Sequence, residues 1–256
     1  MKLALIAGTG TGDLFQLGTW EEIQTPYGSA CITHANIVGR EIIVLRRHGL
    51  GMDRPPHLVN YHANLWALKE VGVSKIIATA AVGSLRLDIG PGSLALLEDF
   101  IDFMKGSPIT RYDKPGLIAH VDFSMPYCSE LMSFLRQAAL CLGLGNLPGV
   151  TYVGMSGPRY ETPAEVRMLG KLGGDVVGMT AVPETILARE FGMCYSCLAI
   201  VTNYGAGLSD VILSHEDVVK MVKARSAEIR SLLERAIMMI PDDSKCSCPT
   251  LAKPFE

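Results

Sequence analysis

Residues 151–184 read TYVGMSGPRYETPAEVRMLGKLGGDVVGMTAVPE and alternate between strand-like and helical patterns. The apolar run 151–155 predicts a strand. The TPAE sequence at 162–165 predicts a helix start, because it supplies a hydroxyl N-cap, a proline at the first helical position and a carboxylate three residues after the cap. Residues 175–180 predict a short buried strand that runs into a helix opened by the Pro-Glu pair at 183–184. This alternation predicts an α/β fold.

Two parts of this stretch are candidates for ligand binding. Tyr160 and Glu161 lie on the predicted loop between strand and helix, where an aromatic face beside a carboxylate suits a flat ligand that donates N–H groups. Gly178 permits close backbone approach, Met179 offers a soft apolar surface, and Thr180 offers a hydroxyl. The same residues also fit ordinary turns of an α/β domain, so the stretch alone leaves both interpretations open.

The size and composition are those of a single enzyme domain. The chain has 256 residues, of which 48% are hydrophobic and 19% charged, which is enough for a large core and a buried subunit interface. The net charge of −3 gives no reason to expect nucleic acid as a partner. No apolar run reaches the length of a membrane span, and the first residues are too short for a signal peptide, so we expect a cytoplasmic protein. We predict one domain over residues 1–240 and a loose tail over residues 241–256.

Two early strand ends carry candidate anion-binding groups. Residues 3–7 predict a buried strand, and the glycine-rich turn at 8–13 can present backbone N–H groups to a phosphate. Its G-x-G-x-G spacing matches neither the dinucleotide fingerprint nor the P-loop. The predicted strand 41–45 runs into Arg-Arg-His at 46–48, where an arginine fork and an imidazole suit an oxyanion. A solvated basic turn is the more common role of such a triplet.

The remaining elements complete an α/β pattern without internal repeats. Further strands are predicted over residues 75–80, 93–97 and 193–202, and helices over residues 57–71, 129–142 and 215–240. The strand 193–202 delivers Asn203 at its carboxyl end, where ligands bind in open α/β sheets. Ser214 and Asp217 fit the start of the last helix.

The motifs GPRYET at 157–162 and DVVGMTAVPE at 175–184 together resemble the trimeric purine nucleoside phosphorylase and methylthioadenosine phosphorylase family, with a likeness from residue 8 to about residue 219. The resemblance implies a single-domain nucleoside phosphorylase fold with a central mixed β-sheet flanked by helices. It also implies three sets of site residues. These are Thr9, Arg47, His48, the Ala81 backbone and Thr180 for phosphate; Val82, Gly83, Tyr160, Glu161 and Asn203 for the base; and Met179, His120 and His215 for the sugar.

Two positions qualify the resemblance. Relatives carry a polar side chain where this chain has Ala80, so one side-chain contact to phosphate is missing. His120 matches the residue that relatives donate across a subunit boundary to cover the neighbour's sugar, although taken alone it fits an isolated surface histidine. The match implies a homotrimer with shared sites and leaves a hexamer open.

The resemblance implies phosphorolysis, in which inorganic phosphate attacks a purine nucleoside and releases free purine and ribose 1-phosphate for purine salvage. Asn203, Glu161 and His48 are the implied catalytic residues. The Asn203 amide can donate to the N7/O6 edge of the base, and Glu161 can accept from the N1–H of a 6-oxopurine, so inosine and guanosine are the expected substrates. Phosphate is a co-substrate, and the chemistry implies no cofactor and no metal.

The sequence supports two interpretations of the 5′ substituent of the sugar. His215 lies in an H-E-x-V context that resembles inosine-type relatives, in which a histidine bonds the 5′-hydroxyl. Leu213 fits an apolar pocket instead, so S-methyl-5′-thioinosine and S-methyl-5′-thioadenosine remain alternative substrates.

The seven cysteines include a Cys194-x-x-Cys197 pair and a Cys246-x-Cys248 pair, which together contain the four thiols of a zinc site. The first pair lies in a predicted strand, where side chains three residues apart point to opposite faces, and this disfavours a shared metal. Disulfides that involve the tail are also left open.

Two other classes of protein are weighed against the phosphorylase. A nicotinamide-dependent oxidoreductase would use the turn after the first strand, but the glycine spacing there is wrong. A non-catalytic purine-binding protein would keep Glu161 and Asn203 but would not need the anion-binding Thr9, Arg47 and His48.

Overall fold

Nine β-strands and six α-helices make up the residues that the computed structural model describes, 2–51, 53–106, 109–243 and 245–251. The strands are β1 (Lys2–Ala7), β2 (Trp20–Thr25), β3 (Gly28–Ile37), β4 (Arg40–Arg46), β5 (Val73–Ser84), β6 (Leu94–Asp102), β7 (Gly149–Gly154), β8 (Val176–Gly178) and β9 (Cys194–Tyr204). The helices are α1 (Tyr61–Glu70), α2 (Ser129–Cys141), α3 (Pro163–Lys171), α4 (Ala181–Glu190), α5 (His215–Ala224) and α6 (Ser226–Met239). Single 3-10 turns cover Pro56–Leu58 and Cys248–Thr250.

All nine strands belong to one mixed sheet in the order β2-β3-β4-β1-β5-β8-β7-β6-β9. β9 also pairs with β5, which closes β5, β8, β7, β6 and β9 into a ring, and the other four strands extend from that ring. β4, β1, β5 and β9 are parallel neighbours, so their carboxyl ends lie at one edge of the sheet. The predicted α/β class with a central mixed sheet is confirmed.

β9 illustrates why these sequences form buried strands. Residues 194–202 are all buried, because helices cover this part of the sheet and α2, α4 and α5 contact β9. A parallel strand that is covered on both faces needs a continuous apolar run rather than an alternating one. The hydrophobic run read from the sequence therefore identified this strand correctly.

The helix-start signals are confirmed at α3 and α5. The Thr162 hydroxyl accepts from the Glu165 amide at 3.2 Å, and the Glu165 carboxylate accepts from the Thr162 amide at 2.7 Å, which forms the capping box. Ser214 accepts from the Asp217 amide at 3.3 Å and caps α5.

Two helix predictions need correction. The helix predicted over 215–240 is interrupted at Arg225, where ψ is 2° and the chain divides into α5 and α6. The division allows α5 to pack on β9 while α6 packs on α2. The helix predicted over 57–71 begins only at Tyr61, because Asn60 caps it there, and Leu58 is exposed.

The described part of the C-terminal tail packs against the domain, so the prediction that this segment is loose is wrong there. The buried Lys75 ammonium donates to the backbone oxygens of Pro241 and Asp243. Arg40 donates to the carbonyl at the end of α6, and Cys248 is buried. The described chain contains no helix with the length and apolar character needed to cross a lipid bilayer.

Candidate active site

A cleft of about 750 Å³, counting its open mouth, lies at the edge where β1, β4, β5 and β9 end. Residues in the last part of these strands or just after them line it, together with the loop before α3 and the residues at the starts of α4 and α5. Every residue predicted for the site lines the cleft except His120. The other wall residues are Pro56, Val177, Gly178, Thr202, Gly205, Leu213 and Val218.

Arg47 forms a buried ion pair with Glu184 in the wall of the cleft. Arg47 Nε lies 2.5 Å from Glu184 Oε1, and Nη2 lies 2.8 Å from Oε2. Nη1 donates to the Thr79 carbonyl at 2.8 Å, and the Tyr195 hydroxyl donates to Glu184 Oε2 at 2.8 Å. A guanidinium has five N–H groups, and three are used here, so two remain for an anion. The arginine fork expected to clamp phosphate faces Glu184 instead.

A backbone carbonyl determines which ring nitrogen of His48 carries a proton. Its Nδ1 lies 2.8 Å from the backbone oxygen of Arg54, and a carbonyl can only accept, so Nδ1 carries the proton. Burial and the nearby charge of Arg47 lower the pKa of His48. Nε2 is therefore an acceptor, which suits the protonated oxygen of a phosphate dianion.

The turn after β1 approaches Arg47 closely because Gly8 has no side chain. A Cβ at Gly8 would lie 2.5 Å from Arg47 Nη1 and 2.5 Å from the Thr79 carbonyl oxygen. The Gly8 amide donates to Thr79 Oγ1 at 3.0 Å, and that hydroxyl lies 2.7 Å from Thr11 Oγ1. These bonds fix the turn so that Thr9 lines the cleft with Arg47.

Ala81 and Thr180 complete the polar end of the cleft. Ala81 lines the cleft from β5, whereas its neighbour Ala80 is buried and is not among the cleft residues. Thr180 is the N-cap of α4, but its hydroxyl makes no capping bond. Its amide donates to the Tyr152 hydroxyl at 3.0 Å, so the Thr180 hydroxyl is the group it offers to a ligand.

Asn203 has a single amide orientation that fits its neighbours. Nδ2 donates to the Tyr204 carbonyl at 2.9 Å, and a carbonyl can only accept. The Thr202 hydroxyl, which has one proton to donate, lies 2.9 Å from Oδ1 and 3.2 Å from the Val82 carbonyl. One N–H of the amide remains for a ligand. Gly83 makes room for this arrangement, since a Cβ there would lie 3.1 Å from Nδ2.

Glu161 is a buried carboxyl in the same cleft. Its relative exposure is 9%, and burial raises its pKa. The nearby Arg159 is engaged by Glu165, with Nη1–Oε2 and Nη2–Oε1 both 2.7 Å, so it forms its ion pair away from Glu161. Tyr160 lies beside Glu161 and is half-buried. The pair presents a carboxylate and an aromatic face to a planar ligand.

The remaining wall combines polar and apolar groups. His215, the first residue of α5, lines the cleft with Met179, Leu213 and Val218. His120 is exposed and lies outside the cleft within one chain. The sequence predicted no site role for Pro56, Val177, Thr202 or Val218, because their place in the wall depends on packing between distant segments.

The chain belongs to the phosphorylase superfamily, whose family model matches residues 2–238. It is 46% identical over 259 residues to the 6-oxopurine nucleoside phosphorylase of Pyrococcus furiosus, with 98% of each chain covered. It is 41% identical over 250 residues to a protein of Methanothermobacter thermautotrophicus named "Probable S-methyl-5'-thioinosine phosphorylase", with 96% of this chain and 87% of that protein covered.

Solved structures show the same fold. Methylthioadenosine phosphorylase from Schistosoma mansoni in complex with adenine superposes with a TM-score of 0.90 at 29% identity. The match covers 98% of this chain and 95% of that one. The predicted family and nucleoside phosphorylase fold are therefore confirmed.

Proposed function

We propose that this protein cleaves the N-glycosidic bond of 6-oxopurine nucleosides, inosine and guanosine, with inorganic phosphate. The observation that carries the proposal is the pairing of Asn203 and Glu161 in one cleft with Arg47 and His48. The first pair offers an N–H donor and a carboxylate acceptor, which match the O6 and N1–H of a 6-oxopurine. The second pair offers N–H donors and an acceptor nitrogen, which match a phosphate that carries one proton.

The phosphate-binding residues and the base-binding residues act on the two sides of the bond that breaks. Phosphate is bound by Thr9, Arg47, His48, the Ala81 backbone and Thr180. The C1′–N9 bond breaks with its electron pair leaving on the purine, and a phosphate oxygen forms the new bond to C1′. The sugar is cationic in the transition state, so the dianion beneath it lowers the barrier electrostatically.

The site must also stabilise the purine as it leaves. Negative charge develops over the base, and the free N–H of Asn203 stabilises it at the N7/O6 edge. Glu161 accepts from N1–H, while Val82, Gly83 and Tyr160 contact the ring. Phosphate is the only co-substrate, and this route uses no cofactor and no metal.

The site also supports S-methyl-5′-thioinosine as a second candidate substrate. His215 offers a hydrogen bond to a 5′-hydroxyl, but Leu213 and Val218 line the same cleft and suit a thioether. Met179 contacts the sugar in either case. We favour the hydroxyl substrate because a 5′-hydroxyl can pair with the His215 imidazole, whereas a thioether offers that imidazole no comparable hydrogen bond.

The assembly we propose is a cytoplasmic homotrimer that acts in purine salvage. His120 lies outside the cleft of its own chain, which fits a residue donated to a neighbour's sugar. The partners are then a purine nucleoside, phosphate and two further copies of this chain.

The test is the release of hypoxanthine from inosine with and without phosphate. Phosphate-dependent release, with ribose 1-phosphate formed in equal amount, supports the proposal. Release that is independent of phosphate indicates a hydrolase, and binding without release indicates a purine-binding protein. Either result would contradict the proposed phosphorolysis.

A further inference from the structure

Four cysteines from three separate parts of the chain meet far from the active-site cleft. They are Cys128, which is the N-cap of α2, Cys194, the first residue of β9, and Cys246 and Cys248 of the C-terminal segment. Their sulfur atoms all lie within 4.8 Å of one another, and the Cys194 and Cys246 sulfurs are 3.2 Å apart. Three of the four are buried, and Cys246 is half-buried.

We propose that Cys128, Cys194, Cys246 and Cys248 bind one zinc ion as a structural tetrathiolate site. Zinc is bound tetrahedrally with Zn–S distances of about 2.3 Å, which places the sulfurs about 3.8 Å apart, within the spread seen in the cluster. Four thiolates leave no open coordination position, so the ion takes no part in phosphorolysis.

Cys194 and Cys197 do not share this site, as expected for side chains three residues apart on a strand. Cys197 lies three residues after Cys194 on β9 and is absent from the cluster. Cys128, at the start of α2, supplies the fourth sulfur instead. Sequence spacing could not find this ligand, because Cys128 is 66 positions before Cys194 and reaches it only through the packing of α2 on β9.

The surroundings of the cluster favour a negatively charged centre. Arg189 is 3% exposed, and its Nη1 donates to the Cys248 sulfur at 3.5 Å, while its Nε donates to the backbone oxygen of Asp122 at 3.2 Å. Among the described residues Arg189 has no ion pair with a carboxylate, and its buried Nη2 has no hydrogen-bond partner. Buried charges are normally paired. Four thiolates around a divalent cation carry a net charge of −2, and the single positive charge of the guanidinium offsets half of it. N–H···S bonds of this kind orient metal-bound thiolates.

The site explains how the C-terminal segment is held. After α6 the described chain forms only the short turn Cys248–Thr250, and few local bonds order it. A zinc ion would join this segment to α2 and to β9 at once. Cys194 and Asn203 lie nine residues apart on β9, about 30 Å along an extended strand, so the zinc site and the active site are separate.

The experiment uses the full chain produced with zinc under reducing conditions. Elemental analysis should find about one zinc per chain, and replacement by Co²⁺ should give the visible absorption of a tetrahedral tetrathiolate. The double variant Cys246→Ser/Cys248→Ser should lose the metal and unfold at a lower temperature, because metal binding stabilises the folded state. Cys197→Ala, on the same strand but outside the cluster, should keep the metal.

Three outcomes overturn the proposal. The wild-type chain could lack metal and contain four free thiols, or lack metal and contain two disulfides, which mass analysis of the denatured chain identifies by the loss of four hydrogens. Zinc retained by the double variant would place the metal elsewhere. Phosphorolysis below the unfolding temperature should survive in both variants, so a failure of this proposal is distinguishable from a failure of the proposed function.

Discussion

Arg47 and Glu184 form a bidentate ion pair in which both side chains are 1% exposed. The residues are 137 positions apart, and their pairing joins the end of β4 to α4. Because the Thr79 carbonyl and the Tyr195 hydroxyl complete the network, the guanidinium is fixed before any ligand arrives. Glu184 therefore fixes the direction of the two remaining N–H groups of Arg47, which are the groups that would contact phosphate in the proposed reaction.

Replacing Glu184 by glutamine should destabilise the fold and weaken phosphate binding together. The substitution leaves the Arg47 charge buried without compensation, which costs about 3–5 kcal/mol. We expect a fall of the unfolding temperature and a rise in the KM for phosphate that exceeds any rise in the KM for inosine. The matched control is Glu165→Gln. The Arg159 partner of Glu165 is exposed, so this substitution should change the unfolding temperature little. An unchanged KM for phosphate would show that Glu184 does not position Arg47.

Glu161→Gln should separate stability from activity. Burial raises the pKa of Glu161, so the folded chain holds the proton more tightly than the unfolded chain. The free energy of unfolding therefore decreases as the pH rises from the unfolded pKa to the folded pKa, and the loss is complete above the folded pKa. We therefore expect a higher unfolding temperature at neutral pH and no change at a pH below the unfolded pKa of a carboxyl. Phosphorolysis of inosine should fall about tenfold or more, because a charged acceptor for N1–H is lost. A lower unfolding temperature of the variant at neutral pH would contradict this account.

The pH dependence of the wild type follows from the same carboxyl. If Glu161 accepts from N1–H as a carboxylate, burial, which raises its pKa, means that this acceptor is lost as the pH falls through a value higher than the ordinary pKa of glutamate. The affinity for hypoxanthine should decrease over that range in the wild type. It should stay flat there in Glu161→Gln, and a matching decrease in the variant would assign the titration to another group.

His215→Leu tests the 5′ substituent. If His215 bonds a 5′-hydroxyl, the variant should lose several-fold in kcat/KM with inosine, since a neutral hydrogen bond contributes roughly 1 kcal/mol. Its kcat/KM with S-methyl-5′-thioinosine should stay level or rise. If the thio-nucleoside is already the better substrate of the wild type, the hydroxyl assignment is wrong.

His120 tests whether active sites are shared between subunits. A His120→Ala chain and an Arg47→Ala chain should each be weakly active alone. After they are mixed and allowed to exchange subunits, some interfaces combine an intact Arg47 site with an intact His120, so activity should partly return. Full activity of a monomeric wild-type chain would exclude this arrangement.

The sequence could predict the parts of the site that lie at strand ends. Asn203 ends a predicted buried strand and Glu161 precedes a capping box, so local patterns located both, whereas Thr9 in the turn after β1 was assigned through the family resemblance. Glu184 and Thr79 act through contacts with residues far away in the chain, and no local pattern marks such a partner. The same limit hid the fourth cysteine of the cluster.

The errors in the predicted helices and tail have similar causes. The apolar periodicity continues through Arg225, so it could not show that α5 and α6 pack on different partners. The tail beyond residue 240 lacks periodicity, and its described residues, 241–243 and 245–251, contact the domain through Lys75 and the cysteine cluster instead. Contacts across long sequence separations decide both features.

The preference for 6-oxopurines is the central claim, and one comparison tests it most directly: phosphorolysis of inosine and adenosine side by side by the wild type and by Asn203→Asp. The Asn203 amide offers an N–H to O6, and its Oδ1 is engaged by Thr202, so a 6-amino group leaves buried polar groups unpaired at a cost on the order of 1–3 kcal/mol. We predict a higher kcat/KM for inosine in the wild type and a shift toward adenosine in Asn203→Asp. The shift should be limited, because Gly205 has no side chain and so provides no second acceptor for a 6-amino group. A Cβ at this position would lie 3.0 Å from Val166. A wild type that cleaves adenosine faster than inosine would contradict the account.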